Sequence, residues 1–143
     1  MLQFLHADVA VLAAAVADYK PVHVAVEKIK KGSEALTLEL VPTPDIAASL
    51  GKLKKPGQRL IGFALETKDG EKHAREKMTR KNMDMIVLNN PRDNGAGFGH
   101  DTNKVSFLFP DNKEEHFELK SKRAVAHDIA QAVHQMIHAN AKK

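Results

Sequence analysis

A continuous apolar run from Val9 to Ala15 constrains the fold of this chain more than any other feature. A run without polar interruption is typical of a strand that is buried on both faces of a mainly parallel sheet. The run closes on the small residues Ala13, Ala14 and Ala15, and the charged residues Asp18 and Lys20 follow closely. The sequence therefore predicts a buried strand that ends in a polar turn.

Further strand patterns recur along the chain. They cover Leu36 to Val41, Arg59 to Leu65, Met85 to Leu88, Val105 to Phe109 and His116 to Leu119. The first of these alternates leucine with other residues, which predicts a half-exposed strand outside the main sheet. The last two are joined through Pro110-Asp111-Asn112-Lys113 and are expected to form an antiparallel hairpin.

Three helices are predicted between and after these strands. Thr43 is the candidate N-cap of the first, with Pro44 at its opening position and Asp45 in its first turn. The second helix is predicted to run from about Gly70 to Asn82, with Asp69 as its candidate N-cap. The third is predicted to run from Ser121 to about Ala139. Residues Met1 to Ala7 have the pattern of the end of another helix. Strands that alternate with helices predict an α/β fold of three layers, Rossmann-like, with a mainly parallel sheet, helices on both faces and an antiparallel C-terminal hairpin.

Composition narrows the possible functions. The chain has 143 residues, enough for one domain, and it has no cysteine, which excludes disulfides and thiolate catalysis. One Tyr, no Trp and a net charge of only +4 argue against nucleic acid as a partner. No apolar stretch is long enough to span a membrane and no signal-peptide pattern is present, so we expect no membrane association and a cytoplasmic location.

The turn after the first strand is the first candidate site. Small side chains at Ala13, Ala14 and Ala15 would let a planar ligand approach the backbone, and Asp18 could accept a hydroxyl or an amine. Ligands favour the carboxyl ends of strands in such folds. The alternative is a tightly packed strand followed by a solvated carboxylate, and the spacing of the residues does not decide between the two.

Two groups of lysines form the second candidate site. Lys28, Lys30 and Lys31 lie in a segment, about 22–41, that has the composition of a mobile flap, and Lys77 and Lys81 share one helical face. Either group suits a bound phosphate, or is simply solvated, as exposed lysines commonly are.

Three further features admit two interpretations each. Phe63 is either a core residue or a ring that packs against a base, and Thr43 to Ile46 either caps a helix or also receives polar groups of a ligand. His134 and His138 are one helical turn apart, but no carboxylate motif accompanies them, so a metal site is disfavoured. The glycine-rich segment Gly95–Gly99 precedes a strand rather than a helix, so a turn is favoured over a phosphate loop at Asp101 to Asn103.

Seven segments in a fixed order carry a family resemblance. They are AAAVADYKP, EKIKK, TPDIA, IGFALET, REKMTRKNMD, MIVLNN and GFGHDTN. Together they resemble the CTP-dependent synthetase domain of bacterial phosphopantothenoylcysteine synthetase, which is often fused to a flavin-dependent decarboxylase. The family often has Asn at the position of Thr43 and Arg at that of Lys20, and both differences keep polarity or charge.

The resemblance implies a ligation in two steps. CTP activates the carboxylate of 4'-phosphopantothenate as an acyl-cytidylate with release of pyrophosphate, and the amine of cysteine then displaces CMP. Mg²⁺ or Mn²⁺ is the implied cofactor, with no FMN in this chain, and a homodimer is the implied assembly. The resemblance also implies a role for each matching position. The backbone at Ala13, Ala14 and Ala15 would bind cytosine, Lys77 and Lys81 would bind phosphates, and Lys28 would be catalytic. The other residues that would contact the nucleotide are Asp18, Thr43, Pro44, Asp45, Ile46 and Phe63.

One part of the family pattern is not found in the chain. The strand, glycine-rich turn and Asn-containing segment that open the family's domain are absent, so residues 1–143 resemble its C-terminal portion. We therefore expect one exposed sheet edge and no turnover by these residues alone. The alternative is a truncated or degenerate module that binds nucleotide or dimerises without turnover.

Overall fold

The computed structural model describes residues 2–33, 35–66, 69–90, 95–96 and 99–138. Its elements in chain order are a 3₁₀ helix Leu2–His6, β1 Val9–Leu12, β2 Tyr19–Pro21, β3 Leu40–Pro42, α1 Ile46–Leu53, β4 Arg59–Leu65, α2 Gly70–Arg80, β5 Met85–Asn89, β6 Thr102–Asn103, β7 Val105–Leu108, β8 Glu114–His116, β9 Lys120–Ser121 and α3 Lys122–His138. None of the helices in this described part of the chain is both long and apolar enough to cross a bilayer.

Five strands form the main sheet in the order β1-β4-β5-β7-β8. Strands β1, β4 and β5 are parallel, with Leu12 opposite Gly62 and Phe63 opposite Val87. Strand β7 is antiparallel to β5, and β8 is antiparallel to β7. Four of the five strands thus run in one direction, which confirms the mainly parallel sheet and its C-terminal hairpin, and β1 lies at one edge.

The two faces of the sheet are covered by different helices. Side chains alternate along a strand, so Leu60 and Ile61 point to opposite sides. The cluster on one side includes Leu60 and Ile86 from the sheet together with residues of α1 and α2. The cluster on the other side includes Ile61 and Val87 together with Val125, Ile129 and Ala132 of α3. This arrangement confirms the three-layer α/β fold.

Of the six predicted strands, Arg59 to Leu65 has the observed bounds, and the predictions for Leu36 to Val41 and His116 to Leu119 differ most from the structure. The predicted segment Leu36 to Val41 lies outside the main sheet, as expected, but only Leu40–Pro42 is a strand, paired antiparallel with Tyr19–Pro21. The last strand is Glu114–His116 instead of His116 to Leu119. It begins earlier because the turn before it is closed tightly, with the Phe109 amide donating to the Lys113 carbonyl at 3.0 Å.

The prediction that Thr43 caps the first helix is wrong. The N-cap is Asp45, whose Oδ1 accepts a hydrogen bond from the Ala48 amide at 2.9 Å, and Pro44 precedes the helix. The Thr43 hydroxyl instead donates to the Ala17 carbonyl at 2.6 Å. Thr43 and Asp45 both carry side-chain oxygens suited to capping. The Thr43 hydroxyl is bound to the distant Ala17 carbonyl, so Asp45 caps the helix instead.

The ends of the other two helices are close to the predicted ones. Asp69 is the N-cap residue of α2, as expected, but it has a φ of 52° and its side chain makes no capping hydrogen bond to the described residues. Helix α2 ends at Arg80 rather than at Asn82, which has a φ of 51°. Ser121 immediately precedes α3 and accepts a hydrogen bond from the Ala124 amide, while the predicted end at Ala139 lies outside the described residues.

Candidate functional site

A cavity of about 410 Å³ opens at the end of β1 and beside the middle of β4, next to the N-terminus of α1 and the C-terminal half of α2. Its wall is formed by the end of β1 and the turn after it, the segment Thr43 to Ala47, Gly62 and Phe63 of β4, two lysines and Met83. Parallel strands present their carboxyl ends at one edge of a sheet, which is the usual place for a ligand in such folds.

Most of the predicted site residues meet at this cavity. Those on its wall are Ala13, Ala14, Asp18, Thr43, Pro44, Asp45, Ile46, Phe63, Lys77 and Lys81. Ala15 and Lys28 are not on its wall. The segments concerned are up to 68 residues apart in sequence, from Ala13 to Lys81.

Thr43 joins two walls of the cavity. Its amide donates to the Asp18 carbonyl at 2.8 Å, and its hydroxyl donates to the Ala17 carbonyl. These bonds continue the pairing of β2 with β3. The turn that follows β1 is therefore held against the segment that leads into α1.

Lys81 and Asp45 form an ion pair on the cavity wall. The Lys81 Nζ lies 2.8 Å from Asp45 Oδ2, and only 12% of the lysine side chain is exposed. The pKa of the Asp45 carboxyl is lowered below its ordinary value of 3.8, first by the hydrogen bond from Lys81 and then by that from the Ala48 amide. Asp45 thus fixes both the start of α1 and the position of one cavity cation.

Lys77 supplies a second cation one turn earlier on α2. Its Nζ lies 3.4 Å from the Phe63 carbonyl oxygen, a long contact that constrains the ammonium weakly. In the part of the chain that the structure describes, Lys77 has no carboxylate partner. An anion that entered the cavity would meet Lys81, which is paired with Asp45, and Lys77, for which the described residues supply no carboxylate.

Asp18 is the second carboxylate on the wall. It is exposed, and its backbone carbonyl is occupied by Thr43. Among the described residues no hydrogen bond or ion pair engages its carboxylate, in contrast to that of Asp45. This carboxylate is available to a ligand hydroxyl, an amine or a cation.

Phe63 separates this cavity from a second one of about 320 Å³ on the α3 side of the sheet. Its ring packs against the cluster on that side, so the core interpretation applies to the ring while the residue borders both cavities. The second cavity is also lined by Asn89, Asn103 and Lys122. The sequence analysis assigned Asn89 and Lys122 to no site and considered Asn103 only as part of a turn or a phosphate loop. The predicted strand Met85 to Leu88 ends one residue before Asn89, and that position was the available signal for it.

The segment around Lys28 is placed differently from the rest of the predicted site. Between Pro21 and Leu40 the described residues contain neither helix nor strand, and Lys28, Lys30 and Lys31 are all exposed. Several apolar side chains in the same segment are exposed as well, among them Val24, Val26, Ile29, Leu36 and Leu38. The structure does not bring Lys28 to the cavity.

Two features outside the cavity can be compared with their predictions. The prediction of a turn at Asp101 to Asn103 is wrong for Thr102–Asn103. These two residues form β6, which pairs antiparallel with β9. Gly97 and Phe98 of the preceding glycine-rich segment lie outside the described residues. His134 and His138 are exposed on α3, and no group of three or more potential metal ligands is present among the described residues.

A sequence profile described as "DNA/pantothenate metabolism flavoprotein C-terminal domain" matches residues 1–137. The chain belongs to this family. A crystal structure of the C-terminal domain of the coenzyme A biosynthesis bifunctional protein CoaBC is similar, with a TM-score of 0.76 and 36% identity; the match covers 96% of this chain and 61% of that one. The Rossmann-like arrangement of this family member is therefore shared with a solved domain.

Curated relatives are similar over most of this chain. The bifunctional protein CoaBC of Bacillus subtilis is 45% identical over 126 residues, which are 88% of this chain and 31% of that protein. A protein of an unknown prokaryotic organism, named cysteine/cysteine sulfinic acid decarboxylase, is 50% identical over 135 residues, which are 94% of this chain and 38% of that protein. The chain spans about a third of the length of these relatives.

Proposed function

We propose that this family member supplies the CTP-binding part of a ligase that joins 4'-phosphopantothenate to cysteine in coenzyme A biosynthesis. The observation that carries the proposal is the cavity at β1 and β4, where ten of the twelve residues suggested by the resemblance meet. Relatives named for coenzyme A biosynthesis support the same assignment.

The cavity suits a nucleotide in shape and charge. Ala13 and Ala14 leave room for a flat base beside the backbone, whose N–H and C=O groups can pair with the edge of cytosine. Ile46 is an apolar neighbour for that base, and Lys77 and Lys81 provide positive charge for the phosphates. A base, a sugar and phosphates thus each find residues of matching chemistry.

The proposed reaction places the lysines at the atoms where charge develops. A carboxylate oxygen of phosphopantothenate attacks the α-phosphorus of CTP, and the bond to pyrophosphate breaks. The cysteine amine then attacks the acyl carbon, and the bond to CMP breaks as the amide forms. Lys77 and Lys81 would neutralise phosphate oxygens, while Lys28 would act on the acyl-cytidylate after a rearrangement of its segment.

The cavity is compatible with a magnesium or manganese ion bound together with the nucleotide. Mg²⁺ is usually held by one or two carboxylates and by phosphate oxygens. Asp45 is engaged by Lys81 and by α1, whereas the Asp18 carboxylate has no such partner among the described residues. Asp18 is therefore the residue that would hold the ion, which would neutralise charge on the phosphates.

The proposal also covers the assembly of the chain, its association with other domains and its location in the cell. The exposed apolar side chains of Val24, Val26 and Ile29 support a homodimer, in which they would be covered. We also propose association or fusion with a flavin-dependent decarboxylase and a cytoplasmic location.

The second candidate function is a nucleotide-binding or dimerisation module without turnover, which the position of Lys28 outside the cavity favours.

Calorimetric titration of the 143-residue chain with CTP and Mg²⁺ tests the proposal. We expect Lys77→Ala and Lys81→Ala each to weaken CTP binding at least tenfold, while Lys72→Ala, an exposed lysine of α2 outside the cavity, leaves it unchanged. Absence of CTP binding, or an equal loss in all three variants, would contradict the proposed site.

Turnover is measured separately as release of pyrophosphate from CTP and phosphopantothenate. The chain alone is compared with the chain supplemented by the N-terminal portion of a synthetase domain. Pyrophosphate release only by the supplemented chain supports the ligase, and binding without release under both conditions supports the module.

A further inference from the structure

Helix α3 carries a stripe of polar side chains on its exposed side. His127, Gln131, His134 and His138 follow one another at spacings of four, three and four residues, so all four lie on one helical face. All four are exposed. The opposite face of the helix packs on the sheet through Val125, Ile129 and Ala132.

Two of these side chains already touch. The imidazole rings of His134 and His138 have centroids 4.2 Å apart, with an angle of 51° between their planes. Because both residues are on the same helix, one turn apart, their separation is fixed by the backbone, and only the side-chain torsions adjust when an ion binds. Both rings are open to solvent, so an ion can reach their nitrogen atoms.

The sequence pattern alone disfavours a metal site here, but the contact between the two rings brings their nitrogen atoms close together. We propose that His134 and His138 form a two-imidazole site for a divalent transition-metal ion such as Zn²⁺ or Ni²⁺. Neutral imidazole is a favoured ligand of zinc, copper and nickel, with metal–nitrogen distances of about 2.0–2.1 Å for zinc. In the part of the chain that the structure describes, no third His, Asp or Glu completes a protein cage. The remaining coordination positions are taken by water, as in an open site.

The site is separate from the proposed nucleotide cavity. That cavity lies on the side of the sheet covered by α1 and α2, whereas α3 covers the other side. The described residues that line the cavity include no histidine. Metal binding at α3 and nucleotide binding can therefore be measured independently.

His127 provides a matched control on the same helix. It is seven residues from His134, about 10.5 Å along the helix axis at 1.5 Å per residue. His134 and His138 are four residues apart, about 6 Å along the axis. The closer pair can share one ion, while His127 lies two turns away and is left out.

The experiment titrates the 143-residue chain, without any added histidine tag, with NiCl₂ or ZnCl₂ at pH 7.5 and measures heat and the NMR signals of the imidazole rings. We expect one bound ion, a loss of affinity of at least tenfold in His134→Ala and in His138→Ala, and a change of less than twofold in His127→Ala. Ring signals of His134 and His138 should shift together on metal addition.

Three results would overturn the site. They are no binding by the unaltered chain up to 1 mM metal, unchanged binding in His134→Ala and His138→Ala, and an equal loss in His127→Ala, which would indicate diffuse binding along the helix. Far-UV circular dichroism of each variant checks that α3 is retained, since these exposed substitutions remove no core contact.

Discussion

Gly51 of α1 packs directly against the backbone carbonyl of Lys81. A Cβ atom at position 51 would overlap the Lys81 carbonyl oxygen and lie 2.8 Å from the carbonyl carbon. The contact is reinforced from the other side, because the Asn82 side-chain amide donates to the Gly51 carbonyl at 2.9 Å. The end of α2, which carries a cavity lysine, is thus positioned by a glycine on α1.

Gly51→Ala should separate the two helices. The overlap is with backbone, which cannot rotate away, so we expect a loss of about 1–3 kcal/mol in the free energy of unfolding. CTP binding by the chain should also weaken, because Lys81 moves relative to Asp45. Chemical denaturation and calorimetry measure the two effects.

Gly57→Ala is the control for this substitution. Gly57 has a φ of +92°, and beyond its chain neighbours no atom of the described residues lies within 4 Å of an added Cβ, so the change introduces backbone strain without overlap. Its expected cost is about 1–2 kcal/mol with unchanged CTP binding. Equal CTP binding in Gly51→Ala and the unaltered chain would contradict a positioning role for this contact.

Asp45 has two separable tasks. Asp45→Asn keeps a capping oxygen and removes the charge that pairs with Lys81, whereas Asp45→Ala removes both. We expect the alanine variant to lose about 1 kcal/mol of stability and the asparagine variant less. Thermal unfolding of both variants near pH 7 measures the difference, and identical stabilities would contradict the capping role.

The charge of Asp45 also predicts a dependence on pH. Since the pKa in the folded chain is lowered below 3.8, the stabilisation by the carboxylate is present above that value and is lost as the pH falls through the lowered pKa. The difference in Tm between the unaltered chain and Asp45→Asn should therefore stay constant from about pH 7 to pH 5 and shrink below pH 3.8. A difference that grew in acid would contradict the assignment.

The sequence predicted the layers of the fold because local patterns specify them. The strand β4 begins and ends at Arg59 and Leu65 as predicted, since apolar residues on both faces distinguish a central strand. The run from Val9 to Ala15 did not reveal that the strand stops at Leu12. Pairing sets that limit, because Leu12 is the last β1 residue opposite β4.

The candidate site was predicted less completely, for reasons of long-range contact. Thr43 and Asp45 are both residue types that cap helices, with Asp the better of the two, and the Thr43 hydroxyl is in addition engaged by the Ala17 carbonyl, 26 residues away. The second cavity brings together Asn89, Asn103 and Lys122 from separate segments, which no local pattern relates. Lys28 lies in a stretch without regular structure, so its position does not follow from the elements around it.

Thr43→Val should loosen the wall between β1 and α1. Valine matches the shape of threonine but cannot donate to the Ala17 carbonyl. We expect a loss of about 1 kcal/mol in stability and weaker CTP binding, because the turn at Ala17 and Asp18 is no longer held by the side chain. Thr43→Ser, which keeps the hydroxyl, should bind CTP as tightly as the unaltered chain. CTP binding by Thr43→Ser as weak as that of Thr43→Val would contradict the role of this hydrogen bond.

Gln58 attaches the N-terminal segment to the sheet. Its buried side-chain amide donates to the carbonyls of Phe4 and Ala7, both at 2.7 Å, and its Oε1 accepts from the Lys55 amide. Gln58→Leu removes the partner of the Phe4 and Ala7 carbonyls and of the Lys55 amide, and it should lower the free energy of unfolding by about 1–3 kcal/mol. Hydrogen exchange should show faster opening of residues 2–7.

The exposed residue Gln131 is the control for Gln58. Gln131→Leu removes no described hydrogen bond and should change the stability by less than about 0.5 kcal/mol. Gln58→Glu should be at least as harmful as the leucine variant, because a carboxylate cannot donate to the two carbonyls. Equal stability of the leucine variants at positions 58 and 131 would show that the N-terminal segment is held by other contacts.

Lys28 separates binding from chemistry in the proposed reaction. Because Lys28 lies outside the cavity, Lys28→Gln should change CTP binding by less than twofold. In a synthetase assembled from this chain and the N-terminal portion of the domain, the same substitution should strongly reduce phosphopantothenoylcysteine formation, since the proposed reaction uses the Lys28 ammonium at the acyl-cytidylate. Lys30→Gln, in the same segment, should retain most of the activity. Unchanged product formation in Lys28→Gln would remove this lysine from the mechanism, and a parallel loss in both variants would assign the effect to the charge of the segment instead.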